Sequence, residues 1–148
     1  MNPAEVFLAY AADFEKSFAD DDWTRLERHF TAETTYRVES SRFGCELAGP
    51  AAIGAGMKKS LDGFDRVFDS REIAVTEAPR IEDDVLRVGW TVTYTKGDLP
   101  PFALRGISTA RIADDRILEL VDAFDEAMGE EMDRWQDETG FRFDPSYT

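Results

Sequence analysis

Hydrophobic positions first fall into register between Val6 and Ala19. There Phe7, Tyr10, Phe14 and Phe18 recur at spacings of three and four, the stripe of an amphipathic helix. Asp20, Asp21 and Asp22 follow, and Asp22 is the expected cap of a second, short helix over Trp23 to Phe30. Trp23, Leu26 and Phe30 share one face of it. Thr34 to Glu39 is rich in β-branched and aromatic residues and predicts a strand. Ser40 to Pro50 reads as a loop with Gly44 and Gly49, and Pro50 opens a third helix over about Ala51 to Leu61.

From Arg71 onward the period changes to two. Four strands are predicted, over Glu72 to Ala78, Val85 to Thr95, Phe102 to Ile112 and Ile117 to Phe124. The segments between them are short and turn-like, which favours antiparallel hairpins. A last helix is predicted over Glu126 to Glu138, with Met128, Met132 and Trp135 in line, before a tail from Gly140 to Thr148 that holds three aromatics. No internal repeat or low-complexity segment is present. Helices first and a meander after predict an α+β fold, with helices packed on one face of a curved antiparallel sheet.

Composition narrows the classes of function. The 148 residues carry 31 acids against 17 bases, a formal charge of −14, and 43% are hydrophobic. That length suits one domain with its own core. The acid excess disfavours nucleic acid and anionic membrane surfaces, whose phosphates need clustered Lys and Arg. Cys45 and His29 each stand alone, so one chain can build neither a disulfide nor a Cys/His zinc site. The expectation is of no metal and no cofactor. Met1 to Ala12 has no cationic region of the kind that starts a signal peptide, which with the lone cysteine makes the cytoplasm the expected compartment.

Several local patterns occur in an order that resembles the nuclear transport factor 2-like superfamily in its SnoaL-like, polyketide cyclase-like branch. They are Asp20-Asp21-Asp22-Trp23 after Phe18, Leu26 and Phe30 before Thr31-Ala32-Glu33, Tyr36 on the first strand, Gly49 to Ile53, Trp90, Leu104 to Ser108, and Asp122-Ala123-Phe124-Asp125. The resemblance covers residues 1–125 as one domain, with 126–148 as a C-terminal helix and tail packed on it. It implies a cone-shaped half-barrel with the N-terminal helices on its concave side, a pocket between helices and sheet, and a homodimer.

In such a cone, alternation along a strand becomes geometry. Leu86, Val88, Trp90, Val92 and Tyr94 form a clean apolar set and are expected to point inward. On the last strand Leu118, Leu120, Asp122 and Phe124 form the inward set, with Ile117, Glu119, Val121 and Ala123 outward. Tyr36 and Val38 are inward on the first strand, and the resemblance favours Leu104, Gly106 and Ser108. The expected pocket is then Phe14, Tyr36, Val38, Trp90, Val92, Leu104, Leu120, Asp122 and Phe124, with Tyr10 beside it. Gly106 is expected to leave room there. This is the make-up of a site for a small hydrophobic molecule.

Asp122 is the one acid in that set, and desolvation suits it to general acid–base work. The plain structural reading is a strand-end acid that accepts hydrogen bonds. Tyr36 either binds a substrate oxygen or holds Asp122. His29 is either a proton shuttle at the pocket floor or a helix-end residue favoured by the dipole. Cys45 has no basic partner and is not expected to be a nucleophile. The resemblance also marks departures. Phe14 and Val38 stand where ketosteroid isomerases have a Tyr and an Asp. Val38, Trp90 and Val92 stand where limonene epoxide hydrolases have Asn, Arg and Asp. What remains is similar to the polyketide cyclase-like members, which implies isomerisation, cyclisation or dehydration of a hydrophobic carbonyl or enol compound, with Asp122 and Tyr36 catalytic. The alternatives are a non-catalytic binder of a hydrophobic metabolite and a dimeric interaction module.

Overall fold

The computed structural model describes residues 1–144. Asn2 starts the first helix: its side chain accepts from the Glu5 N–H and Glu5 Oε2 accepts from the Asn2 N–H, both at 2.9 Å. Helix α1 runs Pro3–Asp20 and stops at Asp21, which adopts the left-handed conformation at φ 63°. Asp22 then accepts from the Thr24 N–H and caps a 3₁₀ helix over Trp23–His29. Strand β1 is Phe30–Glu39, β2 is Cys45–Ala48 and helix α2 is Pro50–Gly63. The meander follows as β3 (Ser70–Glu82), β4 (Val85–Thr95), β5 (Phe102–Ala113) and β6 (Arg116–Ala123). Asp125 accepts from the Met128 N–H at 2.8 Å and caps helix α3, Glu126–Thr139.

The strands form one curved sheet in the order β2-β1-β6-β5-β4-β3, not closed into a barrel. The meander pairs antiparallel as expected. Its hairpins β3–β4 and β5–β6 turn on Asp83-Asp84 and Asp114-Asp115, all four with positive φ between 52° and 62°. Asp tolerates that conformation better than most residues, and two such residues in a row match the twist of the flanking strands.

Three features differ from expectation. The sheet is mixed, because β1 lies parallel to β6. These strands are joined through α2 and the whole meander, so no tight turn dictates their direction. The segment read as a loop contains β2, which pairs with β1 from Val38↔Cys45 to Thr35↔Ala48. Four residues are too few for a period of two to show.

The third difference is a bulge in β6. Ile117 pairs with Ile112 while Glu119 pairs with Arg111, which leaves Leu118 as the extra residue. Ile117 is therefore fully buried at 0% exposure, and Leu118 is turned out at 40%. The expected inward place of Leu118 is corrected. The ladder irregularity is closed by Thr34, whose hydroxyl donates to the Ile117 carbonyl at 2.6 Å.

The core lies in two clusters along the inner face of the sheet. One joins α1, the 3₁₀ helix, α2 and β6 through Val6, Tyr10, Leu26, Ile53, Ile117 and Leu120. The other joins β4 and β5 to α3 through Tyr94, Phe102, Leu104, Met128, Met132 and Trp135. Phe141 and Phe143 of the tail pack on the second; Tyr147, the third tail aromatic, lies outside the described residues. Among the described residues no helix is long and apolar enough to cross a membrane. The bulge sets a direct expectation in urea denaturation. Ile117→Ala should cost about 2–5 kcal/mol, and Leu118→Ala only about 0.5 kcal/mol. Equal losses would contradict the register.

Candidate active site

Between α1, α2 and the inner face of the sheet lies a cavity of about 220 Å³. Phe14, Tyr36, Val38, Trp90, Val92, Leu104, Asp122 and Phe124 all line it, as does Tyr10. Two expected residues do not. Leu120 shares the inward face but is 1% exposed and belongs to the core cluster below α1. His29 is committed elsewhere: its Nε2 lies 2.7 Å from Oδ2 of the buried Asp13, which Arg28 also contacts. Its ring meets Tyr10 edge-on, and it does not line the cavity.

Asp122 is reached by a chain of donors with fixed direction. Trp90 Nε1 can only donate, and it donates to Ser108 Oγ at 2.9 Å. Ser108 passes its own proton toward Asp122 Oδ1 at 2.5 Å. Tyr36 donates to Asp122 Oδ2 at 2.7 Å. The register builds this set, since Val38 and Ser108 both pair with Asp122 and Trp90 pairs with Gly106 on the same face. Gly106 does not leave open room. A Cβ there would lie 2.6 Å from the Trp90 ring and 2.9 Å from Phe124, so the glycine is what admits those two rings.

Desolvation is the largest influence on Asp122 and holds its pKa above the ordinary carboxylate value, against the hydrogen bonds from Ser108 and Tyr36. Among the described residues no cation touches it. Desolvation also raises the pKa values of Tyr10 and Tyr36 well above the usual phenol range, with the nearby Asp122 charge adding to it. Both phenols are therefore held protonated, as donors. Tyr36 spends its proton on Asp122, whereas the Tyr10 hydroxyl makes no hydrogen bond among the described residues. Cys45 also lines the cavity, on β2, and desolvation pushes its thiol pKa up, the opposite of an activated nucleophile.

A second polar group was not foreseen. Arg71, Asp65 and Glu15 line the same cavity, and Arg71 bridges the two acids. Burial raises the Asp65 pKa, with Arg71 and Tyr94 pulling it back. The only sequence signal for Arg71 is its parity with Ile73 and Val75, which also face the cavity. Among the described residues no three His, Cys, Asp or Glu side chains gather as a metal site.

No family model matches the chain, and no curated protein matches its sequence. Solved structures do match its fold. A ketosteroid isomerase-like protein of Catenulispora acidiphila, in complex with trimethylamine, has a TM-score of 0.62 at 17% identity, over 86% of this chain and 90% of that one. An NTF2-like protein from an Exiguobacterium strain has 0.61 at 21%, over 82% and 98%. A SnoaL-like protein of Shewanella putrefaciens has 0.60 at 10%, over 90% and 88%. The chain has the NTF2-like fold, the one that ketosteroid isomerase-like and SnoaL-like proteins share.

The donor chain makes Ser108 a positioning residue. Ser108→Ala should remove a donor from Asp122 and orphan Trp90 Nε1, costing about 1–3 kcal/mol in chemical denaturation. No loss would mean that the Trp90–Ser108–Asp122 chain is not formed in solution.

Proposed function

We propose that the protein is an enzyme of the isomerase, cyclase or dehydratase kind. Its substrate is a small hydrophobic carbonyl or enol compound, and Asp122 is the acid and base. The observation that carries this is a half-buried carboxyl group on the wall of an aromatic cavity, held by two neutral donors and met by no cation among the described residues. The trimethylamine complex of the Catenulispora protein supports small-molecule binding by a protein of this fold.

The chemistry follows from the placement of donors. Ionised Asp122 takes a proton from the carbon next to the carbonyl: the C–H bond breaks, an O–H bond forms on Asp122, and the electron pair moves onto the carbonyl oxygen. The Tyr10 hydroxyl, protonated and unspent, is the group we assign to donate to that enolate oxygen. Asp122 returns the proton to the same or another carbon. Tyr36 and Ser108 act through Asp122 by fixing its two oxygens, so Tyr36 holds the base and does not bind substrate. Trp90, Phe124, Val92, Leu104, Phe14 and Val38 supply the apolar walls.

The assay is deuterium exchange from solvent into the methyl group of 2-acetylnaphthalene, followed by mass spectrometry. Exchange should rise with pH as Asp122 ionises and then level off. Asp122→Asn should slow it about 10²–10⁴-fold. If Asp122→Asn binds the ketone as the natural protein does and neither exchanges it, the protein is a binder.

A homodimer through the outer face of the sheet is part of the same proposal. That face sets Arg37, Arg87, Arg105 and Arg111 against Glu39, Glu77 and Glu119, near balance in a chain of −14. Ile107, Val121 and Ala123 lie among them. Sedimentation should give a dimer that Ile107→Arg, at a half-buried position of that face, converts to monomer; a monomeric natural protein would contradict this.

A further inference from the structure

The cavity has a second polar centre that proton transfer at Asp122 leaves unused. Arg71, near the start of β3, lines it with a side chain only 9% exposed. Its Nε donates to Asp65 Oδ2 at 2.8 Å, an oxygen that also accepts from the Tyr94 hydroxyl at 2.8 Å. Its Nη1 donates to Glu15 at 2.8 and 3.1 Å. The guanidinium carbon lies 5.0 Å from the Phe18 ring centroid and 6.0 Å from that of Phe14. These contacts fix the orientation of the group without using all its donors. Nη2 donates to nothing among the described residues. It is not sealed off either, since Arg87 Nε is the one fully buried side-chain nitrogen or oxygen there without a partner.

The surroundings of Nη2 select a ligand group. Glu15, whose side chain is 40% exposed, presents acceptor oxygens beside the open donor. A hydroxyl accepts from one and donates to the other. A carboxylate is disfavoured: the cavity is lined by Glu15, Asp65 and Asp122 against the single base Arg71.

Register separates the two centres. Asp122 pairs with Ser108 and Ser108 with Val88, whereas Arg71 pairs with Tyr94. Val88 and Tyr94 are six residues apart on β4, about 20 Å of strand. Side chains reaching inward from both ends shorten that gap, with Val92 and Leu104 between them.

We propose that the ligand is a ring compound with two oxygen functions: the carbonyl at the Asp122 end, and at the far end a hydroxyl or phenol that accepts from Arg71 Nη2 and donates to Glu15. The position of the carbonyl rests on the acid–base reading above; the hydroxyl anchor does not need turnover to be tested.

Calorimetric binding of three probes tests it: 2-acetylnaphthalene, 6-acetyl-2-naphthol and 6-acetyl-2-naphthoic acid. The naphthol should bind about tenfold more tightly than the parent ketone, as one hydrogen bond to a charged group allows. The acid should bind more weakly than the naphthol. The ratio of naphthol to parent affinity should fall below about twofold in Arg71→Met, and a ratio cancels any general loosening of the cavity. Should Arg71→Met not fold, Glu15→Gln replaces it, with the ratio expected to fall below about threefold. Equal binding of naphthol and parent by the natural protein, tightest binding of the acid, or a ratio that survives the substitution overturns the anchor. Asp122→Asn should keep the ratio. If it does, and deuterium exchange is also unchanged, the acid–base reading fails while the anchor stands.

Discussion

Taking a carboxyl group out of water is costly unless donors replace the water. At Asp122 the replacements are the hydroxyls of Tyr36 and Ser108, both neutral. Much of the sheet serves that arrangement. The parallel pairing of β1 with β6 sets Val38 against Asp122, two residues from Tyr36, and the antiparallel pairing with β5 puts Ser108 opposite. Gly106 lets the Trp90 ring lie flat enough against the sheet for its Nε1 to reach Ser108. With no cation on the carboxylate among the described residues, desolvation still dominates and the pKa stays raised. Folding therefore favours the protonated form. Stability from this group is complete at low pH and is lost as pH rises through the folded-state pKa. Above that pKa the base is ready and the fold bears its cost, a trade between stability and function.

Charge elsewhere is arranged so that it does not quench this site. Arg71 shares the cavity, but Asp65 and Glu15 hold it at the other end. Asp13 is buried too, yet it is matched by Arg28 and His29 outside the cavity. Half of the net −14 falls between Asp122 and Glu138, and most of it stands on the solvent side of α3, where Arg42 ties Glu126 and Asp133. Met128, Met132 and Trp135 face the body instead. The acid excess is a property of the surface. The half-buried carboxyl that matters opens that run and points the other way.

Local signals carried a good part of this into the sequence. The alternation on β4 is unbroken, and Leu86, Val88, Val92 and Tyr94 are all buried. Asp22 and Asp125 cap the helices that their positions suggest. On β6 the alternation misassigned Ile117 and Leu118, because a bulge inserts one residue and no local pattern marks it. Past the bulge the count is right again, so the inward place of Asp122 survived. The partners were harder. Tyr36 is 86 residues from Asp122, and Glu15 is 56 from Arg71. Contacts of that range leave no period, and an arginine at the start of a strand reads as a solvated end.

The most direct measurement is the pH titration of the Asp122 side-chain carboxyl carbon by ¹³C NMR in the ligand-free protein. A pKa above the ordinary aspartate value of about 3.9 is the expected result. A value at or below it would mean that Asp122 is hydrated or met by a cation, and the cavity would lose its base.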